Sequence, residues 1–219
     1  MPDSLPDAGG WAPARLLPAL AWANVALHGA GLAAAWLWMR PGSVVSPLGD
    51  RIAFLAGRPL GWSLGWGVWM LCTLLLVGYI ATLRRLVPDC SLAAQLALIF
   101  TAAGMAVDLL ADAVQIQVLP LAARSGQPLF LAFERLALTG GATVANGLYT
   151  LGVLLMILAL RSQIGKSARA AGAATVAAGA LMALSGLLPS PELLAASTGP
   201  TIGFYSLWTL LVARDLKSP

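Results

Sequence analysis

Two aspartates one helical turn apart, Asp108 and Asp112, stand with Gln115 and Gln117 inside an otherwise apolar stretch, residues 102–120, AAGMAVDLLADAVQIQVLP. Carboxylates at that depth in a membrane helix are costly and need a partner, water or a proton. Side chains of these types can hold a polar ligand, handle protons, or act as general acid and base when burial and neighbours tune them. Helical residues advance about 100° each, so positions three, four, seven and eleven apart share a face. On that rule Thr101, Asp108, Asp112 and Gln115 form one stripe. Arg135, Thr139, Asn146 and Tyr149 form a second, with Glu134 beside its start. Asn24 and His28 are one turn apart on a third segment, and Thr198, Thr201, Tyr205 and Thr209 align on a fourth.

Composition says what must position these stripes. The chain of 219 residues is 59% hydrophobic and 10% charged, with mean hydropathy +0.83. A soluble domain carries about 25% charged residues. The economical reading is an all-α integral membrane bundle of six transmembrane helices with short loops. The expected spans are residues 16–39, 60–83, 91–119, 128–160, 170–188 and 193–213, forming one domain over 16–213, packed around the third. Residues 1–15 read as a flexible N-terminal tail and 214–219 as a C-terminal tail. The N-terminal residues lack a basic n-region, and the apolar run that follows, about 24 residues, is long for a signal-peptide core, so it reads as a retained first span.

Within that frame several segments carry local expectations. Residues 41–59 mix Asp50, Arg51 and Arg58 with Ile52, Phe54 and Leu55, which suggests a short interfacial helix, either a plain connector or a lid. Trp62, Trp66 and Trp69 suggest an aromatic belt at an interface, and Gly61 and Gly65 make a GxxxG that allows close packing. Pro120 is expected to close the third span. The fourth is longer than the roughly 20 residues a crossing needs, so it tilts, projects, or breaks at Gly140-Gly141. Gly172, Gly179 and Gly186 recur every seven positions along one side of the fifth.

Six spans put both termini on one face. That face collects Arg15, Arg84, Arg85, Arg161, Lys166, Arg169, Arg214 and Lys217. The other collects Arg40, Arg51, Arg58, Arg124 and Arg135. Eight against five favours cytoplasmic termini by the positive-inside rule, in a bacterial-type inner (plasma) membrane. Asp108 and Asp112 then lie in the outer half of the third helix. Arg135, on the next helix at similar depth, is the expected counter-charge for one of them. The surplus carboxylate is left to a proton, to water, or to His28.

Polar faces in membranes turn inward, because lipid offers no hydrogen bonds. The interior candidates are therefore Asn24, His28, Thr101, Asp108, Asp112, Gln115, Glu134, Arg135, Asn146, Tyr149, Thr201 and Tyr205. The bland alternatives are a structural Asp–Arg clamp, a helix-to-helix hydrogen bond at His28, and packing tyrosines with satisfied hydroxyls.

Many chemistries are set aside. Cys72 and Cys90 form no CxxC and there is one histidine, so no zinc or bis-histidine haem site is expected; no metal or cofactor is. No span carries a lysine for a Schiff base. HExxH, GxxxxGK[ST] and GxGxxG are absent, and nothing points to nucleic acid. The remaining classes are three. First comes a protein that binds or transports a small molecule or lipid in an outward-facing polar pocket. Second is a structural subunit of a larger membrane complex, with a membrane-protein partner or further copies of itself. Third is an intramembrane enzyme on a lipid-like substrate.

Overall fold

The computed structural model describes residues 13–57, 59–88, 90–188 and 190–217. Most of the N-terminal tail, Arg58 and the last two residues lie outside them. Nine α-helices occur among the described residues, and no strand. Helix α1 (Pro13–Ala34) runs on through a π-helical segment, Ala35–Met39, and a 3-10 turn, Arg40–Gly42. A short α2 (Leu48–Ala56) follows, then α3 (Leu60–Arg84). Helix α4 (Leu92–Ala113) passes through a second π segment, Val114–Val118, into α5 (Leu119–Ser125). After a turn at Gly126, α6 (Gln127–Leu138) passes through a third, Thr139–Ala145, into α7 (Asn146–Leu160). The chain ends in α8 (Lys166–Ser185) and α9 (Pro191–Lys217).

Five helical stretches are long and apolar enough to cross a membrane: Arg15–Gly42, Leu60–Arg84, Leu92–Ser125, Gln127–Leu160 and Lys166–Ser185. Their outer faces fit that reading, since Trp36, Leu37, Leu60, Leu92 and Leu110 are among the most exposed side chains. Apolar surface on this scale is not left open to water in a soluble monomer. Helix α9 is long enough to cross, but its threonines, serines and Pro200 make it less apolar than the other five.

Local sequence accounts for the ends. Ser91 caps α4, its hydroxyl accepting from the Ala94 amide at 3.4 Å, and Ser190 accepts from the Leu193 amide at 3.3 Å at the start of α9. The turn between α5 and α6 is one residue, Gly126, with φ 131°, a conformation that favours glycine. Pro120 therefore does not close the third span. Proline lacks an N–H and crowds the carbonyl four residues back, but the wider π turn just before it absorbs both defects, so the helix continues to Ser125. The fourth span likewise neither ends nor breaks at Gly140-Gly141; it loosens into a π segment there.

The long helices form a closed ring in chain order. α1 packs on α3, α3 on α4, α4 on α7, α7 on α8, α8 on α9, and α9 returns to α1. Antiparallel neighbours joined by short connections give this arrangement. The third span is thus one wall of the ring rather than its hub. At the end holding the termini, fully buried Leu17, Leu83, Met156, Leu160, Trp208 and Val212 fill the ring. Toward the other end the fill moves aside. There Leu55 of α2 packs with Met39, Trp62, Leu119, Ala122 and Phe130 in a separate cluster beside the ring. The α7–α8 seam follows the seven-residue spacing. A Cβ at Gly172, Gly179 or Gly186 would meet Ile157, Thr150 or Thr143, which are themselves seven apart. Gly61 and Gly65 play the same part for α1: a Cβ at either would run into Trp38 or Met39.

Candidate functional site

The half of the ring away from the termini encloses a cavity of about 640 Å³. That is within the range of small-molecule sites, roughly 300–1,000 Å³. Nine of the twelve interior candidates line it: His28, Asp108, Asp112, Gln115, Glu134, Asn146, Tyr149, Thr201 and Tyr205. All three π segments border it, through Ala35, Trp36 and Met39, through Gln115, and through Gly141 and Ala142. A π turn releases backbone carbonyls that an α-helix would satisfy, and such turns concentrate at functional sites. Two of the three are answered by side chains. The indole Nε1 of Trp62 donates to the Gln115 carbonyl at 2.8 Å, and Asn146 Nδ2 donates to the Gly141 carbonyl at 2.8 Å.

The acidic wall comes from α4. Asp108 Oδ2 accepts from the Thr73 hydroxyl at 2.7 Å and from the Tyr149 hydroxyl at 3.1 Å. Asp112, only 2% exposed, has a buried Oδ2 without a hydrogen-bond partner among the described residues, and Gln115, 5% exposed, has an unpartnered Oε1. Neither aspartate has a basic partner among the described residues. The expected pairing with Arg135 is not made, because Arg135 is exposed on the outside of α6. Its neighbour Glu134 points inward instead, 7% exposed, and accepts from Arg51 Nη2 of α2 at 2.9 Å. The π segment explains the exchange. It takes in about one residue more per turn than an α-helix. That residue rotates everything before it by about 100° relative to Asn146 and Tyr149. Glu134 then occupies the angular position a straight helix would give Arg135.

Below the cavity, polar groups close on themselves. Asn24 is fully buried, donating from Nδ2 to the Leu20 carbonyl at 3.0 Å and accepting from the Tyr205 hydroxyl at 3.4 Å. His28 Nδ1 donates to the Asn24 carbonyl at 2.9 Å. Its ring packs against Tyr205 (centroids 5.4 Å apart) and edge-on to Trp69 (6.2 Å), and makes no carboxylate contact. In the neutral ring this leaves Nε2 as an acceptor. Thr101 lies away from the cavity in the α4–α7 seam and donates to Ala97. Thr198 and Thr201 turn their hydroxyls onto Leu194 and Ser197 carbonyls of their own helix, just before and after Pro200.

Sequence reasoning missed the neighbouring wall, on α3. Trp62, Trp66 and Trp69 line the cavity rather than forming an interfacial belt, and Trp62 is 3% exposed. The signal was their spacing: residues 62, 66, 69 and 73 share one helical face, and Thr73 on that face meets Asp108. Tryptophans on the lipid-facing surface are Trp22, Trp36 and Trp38 instead. Arg40 stands at the cavity rim, its guanidinium 5.0 Å over the Trp36 ring. With Trp36, Ala195 and Gly199, all exposed, it marks an edge that lies between the end of α1 and the first half of α9. Residues Gly42 to Val45, which lead into α2, also line the cavity.

Comparison with known proteins finds no matching family model, no similar curated protein and no similar solved structure.

Proposed function

We propose that the chain is a six-span integral membrane protein of a bacterial-type inner membrane, with both termini cytoplasmic and α9 as the sixth span. Its outward-facing intramembrane pocket binds a small molecule or lipid, for capture or for transport. One observation carries this reading: polar residues from separate helices converge on a cavity that packed core closes on the side of the termini. A purely structural bundle would bring its polar stripes together to satisfy one another. Here Asp112 and Gln115, both in the cavity wall, each keep a buried side-chain oxygen without a hydrogen-bond partner among the described residues.

Two measurements test it. For binding, the protein released gently from its membrane and analysed by native mass spectrometry should carry a molecule in fixed ratio. Thr201→Trp, which adds a large ring to the cavity wall, should remove it while thermal stability changes little. An unliganded wild type indistinguishable from the variant would contradict the reading. For topology, Cys90 sits exposed in the α3–α4 connection, on the side of the termini. With Cys72→Ala as background, a membrane-impermeant maleimide should leave Cys90 unmodified in intact cells and label it in inside-out vesicles. Labelling in intact cells would reverse the orientation and make the pocket face the cytoplasm.

A further inference from the structure

The pocket's chemistry narrows what it can hold. The inference here rests on the reading of the cavity as a binding site. Asp108 and Asp112, one turn apart, face it with no basic side chain beside them among the described residues. The full cation among the described lining residues, Arg40, is at the rim and stacked on Trp36. An uncompensated buried carboxylate is expensive, so the site favours whatever brings positive charge. A proton alone would not complete it. Protonating Asp112 at Oδ2 would turn an acceptor without a partner into a donor without one. The Gln115 acceptor would stay without a partner as well. What fits is a group with positive charge and several N–H donors.

The rest of the wall says what that group is attached to. Trp66, Trp69, Leu32, Leu76, Val153 and Ile202 surround the space with apolar and aromatic surface. Indole faces attract organic cations within about 6 Å. A bare metal ion would need a shell of several ligands, and among the described residues no three His, Cys, Asp or Glu side chains converge. Beside Arg40, the rim between α1 and α9 is edged by exposed Trp36, Ala195 and Gly199, so the route in suits a molecule that already partitions into lipid.

We infer that the cavity takes an amphipathic organic cation, a protonated amine on an apolar body. Its ammonium sits among Asp108, Asp112 and Gln115, and its body lies along the tryptophan wall. Trp66, on that wall, has a buried Nε1 donor without a partner among the described residues.

The test uses the full chain in nanodiscs of phosphatidylcholine, with empty nanodiscs as the blank, and three probes that share one body. They are 2-(2-naphthyl)ethylamine, 2-(2-naphthyl)ethanol and 3-(2-naphthyl)propionic acid, titrated by calorimetry at neutral pH. The amine should bind at least about tenfold tighter than the alcohol, and the acid weaker than both. Asp112→Asn should bring the amine down to the level of the alcohol and weaken the alcohol far less than the amine. If Asp112→Asn does not fold, Gln115→Leu serves as the second variant and should weaken the amine more than the alcohol. Saturable binding with the alcohol or acid equal to the amine overturns the cation assignment and leaves the pocket a binding site. No saturable binding by any of the three overturns the cation assignment too; the mass-spectrometric test of Thr201→Trp then decides separately whether the pocket binds anything.

Discussion

Replacing Arg51 by leucine is expected to cost about 3 kcal/mol, while replacing Arg51 and Glu134 together by leucine leaves stability within about 1 kcal/mol of the parent. The asymmetry follows from burial. Both side chains of the pair are largely removed from solvent, at 11% and 9% exposure. Arg51 Nη2 donates to Glu134 Oε2 at 2.9 Å, and its Nη1 donates to the Ser46 carbonyl at 2.7 Å. Taking away the guanidinium leaves a buried carboxylate with nothing opposite it, which is worse than having neither charge. The same change removes the ion pair that ties α2 to α6. That helix keeps Leu55 in the cluster with Phe130 and the Arg124 Nε bond to the Ala56 carbonyl at 2.7 Å, so it stays docked, but less firmly. Because Glu134 and the segment leading into α2 both border the cavity, ligand release should also quicken in the single variant and recover in the double one. Chemical unfolding in detergent measures the first effect and dissociation kinetics the second. A double variant destabilised by the sum of the two singles would show that the pair does not act as a unit.

That ion pair also marks how far the sequence could be read. Apolar periodicity and the charge-poor composition were enough for an all-helical chain with long apolar helices, and the seven-residue glycine spacing was enough for one close seam. Asp108 and Asp112 announced themselves because a carboxylate in an apolar run has no cheap explanation. The choice between Glu134 and Arg135 was not readable in the same way. It turns on one extra residue of winding between Thr139 and Ala145, and no side chain in TGGATVA specifies a π turn over an α turn. Gly140-Gly141 hinted at a weak point without saying how the helix would use it. Arg51 looked like a loop cation because its partner is 83 residues away and on an element whose docking depends on the whole ring. The tryptophan face was legible in its spacing but was assigned to an interfacial belt, since periodicity gives a face and not what the face meets.

The second large effect is expected at Gly104, where packing and site meet. A Cβ there would stand 2.7 Å from Tyr149 Cε1 and 3.1 Å from the Ala145 carbonyl oxygen. The carbonyl belongs to the last residue of a π segment and cannot swing aside as a side chain can. Valine at this position must therefore part α4 from α7, displace the tyrosine ring, or both. Overpacking of this kind costs about 1–3 kcal/mol, and contact with backbone puts Gly104→Val near the upper end. The ring's movement carries a chemical consequence. Tyr149 is one of two donors that hold Asp108, and pushing it away leaves Thr73 alone on that oxygen. Tyr149→Phe separates the two contributions: it removes the donor without crowding, at a cost of about 1.5–3 kcal/mol for a bond to a charged acceptor. If Gly104 matters only as space for the helices, Gly104→Val should lower the melting temperature and leave affinity for a saturating cationic probe unchanged. If it positions Tyr149 on Asp108, as the geometry requires, both variants should weaken that probe by a similar factor while the uncrowded Tyr149→Phe alone keeps the α4–α7 seam intact. The double variant should then lose little more affinity than either single one, because the same hydroxyl is lost in each.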